Sequence, residues 1–138
     1  MPVPKPLIEA YSAAHYVVFG EPDIVLKVGE PNAHLDALLH AKGAKAAAFV
    51  SAANPHGERR NLVRNVVAFQ VLKILLRKSH FLYYEGEGRD PTGEWRPEGS
   101  VLVIDMPRAE AEALGNRFEQ NAIVYAEKGK APELLVLR

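Results

Sequence analysis

The sequence predicts an α+β domain, an α/β sandwich in which one mixed β-sheet carries helices mainly on one face. Three observations predict it. Short apolar runs with strand character recur along the chain: HYVVF (15–19), DIVLKV (23–28), AAAFVSAA (46–53), FLYYE (81–85), SVLVID (100–105), NAIVYAE (121–127) and PELLVLR (132–138). Segments with apolar residues at helical spacing separate some of them. The resulting order is β-β-α-β-α-β-β-α-β-β, within which residues 46–127 read β-α-β-β-α-β, the split pattern of ferredoxin-like sheets. An N-terminal β-β-α and a C-terminal strand flank that core.

Residues 1–8 hold three prolines and read as a loose leader to one globular domain spanning 1–138. Gly20-Glu21-Pro22 turns the chain between the first two strands. The first helix, 31–43, begins at Pro31, shows a Leu35, Leu38, Leu39 stripe and stops at Gly43. The run 46–53 is small and apolar throughout, as in a strand buried on both faces, and Asn54-Pro55-His56-Gly57 breaks it. A long helix from about Glu58 to Lys78 follows. Its wide apolar face (Leu62, Val66, Phe69 and Leu76, with Val63, Val67, Val71 and Ile74 beside them) predicts packing across the sheet. The strand at 81–85 leads into a long connection, 86–99, before the strand at 100–105. A shorter helix starts near Asp105, Met106 and Pro107, with Ala111, Leu114 and Phe118 facing inward. Two strands around a Lys128-Gly129-Lys130 turn close the chain.

Composition narrows the function classes. Lys plus Arg and Asp plus Glu each number 17, so no net field favours nucleic acid or an anionic membrane. No apolar run reaches the ~20 residues that span a bilayer. No cysteine occurs, which removes thiolate catalysis, disulfides and Cys-based zinc sites. A cytoplasmic location, with no cofactor and no metal, is the expectation. The five histidines are scattered, and His34 and His40 are six positions apart, wrong for a metal pair on one helix face.

Three polar groups stand out. The stretch EGEGRDPTGEW (85–95) lacks the EF-hand and phosphate-loop patterns. Asp90-Pro91-Thr92-Gly93 suits a β-turn, and Trp95 suits a plug for the loop, but Gly86, Gly88, Arg89 and Glu98 exceed what a turn requires. In NPHGERRNLVRN (54–65), Asn61, Arg64 and Asn65 share one side of a helix, with Asn54 at the break before it. In FEQNAIV (118–124), Gln120 and Asn121 lie between a helix end and a strand, where capping is the competing role. The candidate ligand-binding set is therefore Asn54, Asn61, Arg64, Asn65, Arg89, Asp90, Trp95, Glu98, Gln120 and Asn121, with no catalytic residue assigned.

The segments LKVGEPNAHLDALL, FVSAANP, EGEGRDPTGEWRPEGSVLV and FEQNAIVY resemble the bacterial domain of unknown function family 3293, from about Tyr11 to Leu137. The shared pattern is Asn54-Pro55, then Gly86-x-Gly88-x-Asp90-Pro91 through Trp95-x-x-Glu98-x-Ser100, then Phe118-x-Gln120-Asn121-Ala122. The chain departs from it at Glu119, where a glycine is usual, and at Arg60, where an acid precedes the asparagine. The resemblance implies no activity. The expected function is binding of a small polar or anionic metabolite or a nucleotide, with Arg89 and Arg64 on the anion. A protein-interaction module is the alternative, and a hydrolase or transferase with Glu98 or Asp90 as general base is a second. The β-α-β-β-α-β order is expected to put the 54–57 and 118–121 turns at opposite sheet ends, which counts against one simple site. The long helix at 58–78 and an 86–99 loop long enough to fold over the sheet leave convergence open. A homodimer through PELLVLR requires that strand to be an edge.

Overall fold

Helix α1 (Lys5–Ala13) takes in the second half of the segment whose prolines suggest a loose leader, because Pro4 and Pro6 fall at its start, where a missing N–H costs nothing. The computed structural model describes residues 2–54 and 57–138, so Pro55 and His56 of the strand-breaking turn lie outside the described residues. After α1 come β1 (His15–Val18), β2 (Ile24–Leu26), α2 (Ala33–Ala41), β3 (Ala46–Ser51), α3 (Leu62–Lys78), β4 (Tyr83–Arg89), β5 (Glu98–Ile104), α4 (Arg108–Arg117), β6 (Ala122–Glu127) and β7 (Glu133–Val136). The sheet has seven strands in the order β2-β1-β4-β5-β3-β6-β7.

Every neighbouring pair is antiparallel, which corrects the expectation of a mixed sheet. The two crossovers within residues 46–127 do join parallel strands, but each skips one place. β5 separates β3 from β4, and β3 separates β5 from β6. No parallel pair is ever adjacent.

Alternation along the strands gives two apolar faces. On one, Val50, Val101 and Val103 pack under Leu72 and Leu76 of α3 and Ala111 and Leu114 of α4. On the other, Phe49, Leu102, Ile104 and Val124 pack under Leu35 and Leu39 of α2. Helices thus cover both faces. Asn32 caps α2 by accepting a hydrogen bond from the Leu35 N–H. α3 starts later than the apolar pattern suggests, and only its inner side meets the sheet. Leu62, Val63, Val66, Val67, Val71 and Ile74 remain exposed, because a helix turns one side to a sheet and no further layer covers the rest.

The 86–99 connection is shorter than expected. β4 runs on to Arg89 and β5 begins at Glu98, so Gly86, Gly88 and Gly99 are strand residues. Glycine in a strand usually marks a close approach, and Gly86 fits: a Cβ there would sit 2.0 Å from the Val17 carbonyl oxygen. Gly99 lies against the Phe69 ring of α3.

Candidate functional site

Along β5, Glu98, Ser100, Leu102 and Ile104 alternate onto the face that α2 covers. The inner pair, Leu102 and Ile104, lies in the core beneath α2, while Glu98 and Ser100 continue past it. There the sheet would be bare. Instead α1 lies over it, and the two enclose a cavity of about 250 Å³. Leu7, Ala10 and Tyr11 form its roof. Its floor is Tyr16, Phe49, Ser51, Gly88, Ser100 and Val124, from β1, β3, β4, β5 and β6. Ala53, Asn54, Gly57, Arg59, Trp95, Glu98, Gln120, Asn121, Ala122, Ile123 and Leu134 complete the lining.

Antiparallel pairing brings these segments together. Phe49 is opposite Val124, so the end of β3 meets the start of β6. Ser51 is opposite Ser100, and Gly88 opposite Glu98. Asn54 and Gly57 therefore lie at the same sheet end as the 118–121 segment, not at the opposite end. The Gln120 amide joins them by donating to the carbonyls of Ala53 at 3.0 Å and Phe118 at 3.2 Å.

Asn54 is the hub of the site. Its Nδ2 donates to Glu98 Oε2 at 2.5 Å, and its Oδ1 accepts from the Arg60 N–H at 2.8 Å and from Asn65 Nδ2 at 3.0 Å. Its own N–H donates to Asn65 Oδ1 at 3.0 Å. This ring of bonds holds the residue at φ 47°, a left-handed conformation that asparagine accepts more readily than most residues. Glu98 is half-buried, and that burial pushes its carboxyl pKa up while the Asn54 hydrogen bond pulls it down. Across the cavity, buried Asn121 donates to the Tyr11 hydroxyl at 3.1 Å. Burial raises the Tyr11 pKa, the Asn121 bond lowers it, and the nearby Glu98 charge raises it. Tyr16 is pushed up as well, first by burial and then by Tyr11 and Glu98. Its hydroxyl donates to the Tyr11 carbonyl and ties the roof to the sheet.

Of the ten candidate residues, Asn54, Trp95, Glu98, Gln120 and Asn121 line this cavity, and Asn65 supports it through Asn54. The remaining four are placed elsewhere. Asn61 caps α3 by accepting from the Arg64 N–H, and Arg64 is exposed. Arg89 is exposed and pairs with Glu87 at 2.6 Å. Asp90 accepts from Thr92 N and Oγ1, Glu94 N and Trp95 N. Those bonds, led by the Thr92 hydroxyl, lower its carboxyl pKa and leave it as a loop anchor. Sequence reasoning missed Tyr11, Tyr16, Ser51 and Arg59. Ser51 carried a signal, being a polar residue two positions from Phe49 on the same strand face. Among the described residues no three His, Asp or Glu side chains come together as a metal cage. No helix among them is long and apolar enough to cross a membrane.

A family described as "Protein of unknown function (DUF3293)" matches residues 50–123. The match is narrower than the resemblance from Tyr11 to Leu137, and it takes in Asn54, Trp95, Glu98, Gln120 and Asn121 but not the α1 roof. Glu119, where the resemblance implies a glycine, sits at φ 56°, a conformation a glycine would adopt without strain. No curated protein matches the chain, and no solved structure matches it.

Proposed function

The chain belongs to this family of unknown function, and from its cavity we propose that it binds a small polar molecule, to sense or sequester it. The observation carrying this reading is that five polar or aromatic candidates, from three separated segments, line one hollow between α1 and the sheet. Concave sites with mostly apolar walls and a few fixed polar groups are where small ligands bind. The charge pattern refines the ligand. With Arg64 and Arg89 elsewhere, Arg59 is, among the described residues, the cation of the lining, and it is exposed. Half-buried Glu98 opposes an anion inside. A neutral compound of about nucleobase size suits the volume, and a phosphate on it would have to reach outward to Arg59.

The matching fold-level reading is that residues 46–127 form a ferredoxin-like unit. The strand order β4-β5-β3-β6 and the two place-skipping crossovers support it. A second functional reading has Glu98 as a general base, and its raised pKa beside Tyr11 in a cavity favours that reading. Asp90 has no such support, because its carboxylate is taken up by the loop.

The test is native mass spectrometry of the purified chain, then thermal shifts against nucleobases, aminoheterocycles, small amides and nucleotides. Binding predicts a co-purified mass or a raised melting temperature with the neutral heterocycles. If no compound does either, the reading fails. Turnover of any bound compound that Glu98→Gln abolishes at unchanged melting temperature would establish the enzymatic reading instead.

A further inference from the structure

The outer side of α3 is independent of the cavity. Leu62, Val63, Val66, Val67, Val71 and Ile74 fall within one half of the helix circumference at about 100° per residue, away from the buried Leu72 and Leu76. They are exposed by between 47% and 69%; Gln70 is the uncharged polar residue in their midst, and Lys73, in the same half, is buried. A solvent-facing helix side is ordinarily charged. β-Branched side chains there also lower helix propensity, so solvent exposure alone gives no reason for them. Together they present on the order of 500 Å² of apolar surface, near the top of what monomers expose and characteristic of a binding surface.

The charges around this surface specify its partner. From Arg59 to Tyr84 the chain contains no Asp or Glu. Arg60 and Arg64, with Arg59 that also borders the cavity, stand at the N-terminal end of the apolar stretch, and Arg77 and Lys78 at its C-terminal end. None of the five has an acid within salt-bridge distance among the described residues. Lys73, turned inward, does have one in Glu85 at 3.5 Å, and Arg108 has two. We propose that this side of α3 docks an acidic amphipathic helix of a partner protein, whose apolar side chains cover the valines while its carboxylates meet the two groups of cations.

A second copy of the chain fits less well. Antiparallel pairing of two α3 helices sets Arg59, Arg60 and Arg64 against Arg77 and Lys78, and parallel pairing sets each group against itself. Both place like charges together. A bilayer fits less well too: the exposed row has no aromatic residue, and the cations cluster at its ends rather than lining the polar side, unlike an interfacial helix.

The test uses a labelled, helical Leu/Glu peptide of about 20 residues, read by fluorescence anisotropy. A Leu/Lys peptide of the same pattern, phosphatidylserine vesicles, and size-exclusion chromatography of the chain alone accompany it. The expected result is saturable binding of the Leu/Glu peptide at least about tenfold tighter than the Leu/Lys peptide. Val67→Glu/Val71→Glu should weaken it by about tenfold or more at unchanged melting temperature. If that pair lowers the melting temperature, Val67→Gln/Val71→Gln, which adds no charge, gives the same readout. Absent binding, equal affinity for both peptides, preferential vesicle binding, or a dimer that the double variant dissociates would each overturn the proposal. Cavity ligands should bind the double variant normally, so failure here is distinct from failure of the cavity reading.

Discussion

Replacing Asn54 with alanine removes three side-chain hydrogen bonds at once: to Glu98, from the Arg60 N–H and from Asn65. At a net ~1 kcal/mol each, these account for about 3 kcal/mol. The φ of 47° adds a further penalty of about 1 kcal/mol for alanine. A loss of about 3–4 kcal/mol is therefore expected, a large part of the 5–15 kcal/mol that typically stabilises a domain. For 138 residues this corresponds to a melting temperature lower by about 10 °C. Asn54→Gly separates the two contributions: it loses the same bonds but tolerates the backbone, so it should cost about 1 kcal/mol less than alanine. Urea unfolding followed in parallel by Trp95 emission and far-ultraviolet circular dichroism measures both variants. A loss below about 1 kcal/mol for alanine, or a glycine variant no better than alanine, would refute the hub role.

Three further outcomes are expected. Burial raises the Glu98 pKa above its ordinary 4.5, so the folded state favours the protonated carboxyl. The stability this confers is fully present below the unfolded value and is lost as pH rises through the folded one. Stability of wild type relative to Glu98→Gln should therefore fall with rising pH above 4.5 and then level off, and a difference flat with pH across a series of urea titrations would contradict the burial. Gly86→Ala drives a Cβ to 2.0 Å from the Val17 carbonyl and should cost more than about 3 kcal/mol or prevent folding. Gly88→Ala, whose Cβ would meet nothing closer than 3.9 Å, should stay within about 1 kcal/mol by thermal melting. Asp90→Ala should release the 90–97 loop, seen as a red-shifted Trp95 emission more open to acrylamide, with little change in melting temperature; an unchanged spectrum would show that Asp90 does not hold Trp95.

Local chemistry made the element order legible. The stripes of α2 and α4, the small apolar run of β3 and the Gly129 turn all read directly from spacing and turn residues. α1 did not, because three prolines in eight residues obscure the fact that Pro4 and Pro6 fall where a helix start tolerates them. β4 was cut short because glycines normally signal a break, and only the neighbouring β1 backbone gives Gly86 its reason. Strand pairing had the largest consequence for the site. Period-2 patterning shows which residues share a face but not which strands are neighbours, so the meeting of Asn54 and Gly57 with the 118–121 segment follows only from the order β5-β3-β6. Arginines were overvalued for a similar reason. Their charge is readable in sequence, whereas the Glu87 partner of Arg89 and the outward position of Arg64 belong to tertiary structure.

Whether the hollow beneath α1 is the binding site is tested most directly by titrating the best thermal-shift compound into wild type and into Gly88→Phe while following Trp95 emission. The Gly88 Cβ position is open toward Tyr16 on the cavity floor, so the added ring should fill the hollow without disturbing the strand. Saturable single-site quenching in wild type, absent from a variant that melts at the same temperature, is the predicted result. Identical titrations in the two proteins would place the ligand elsewhere and contradict the account.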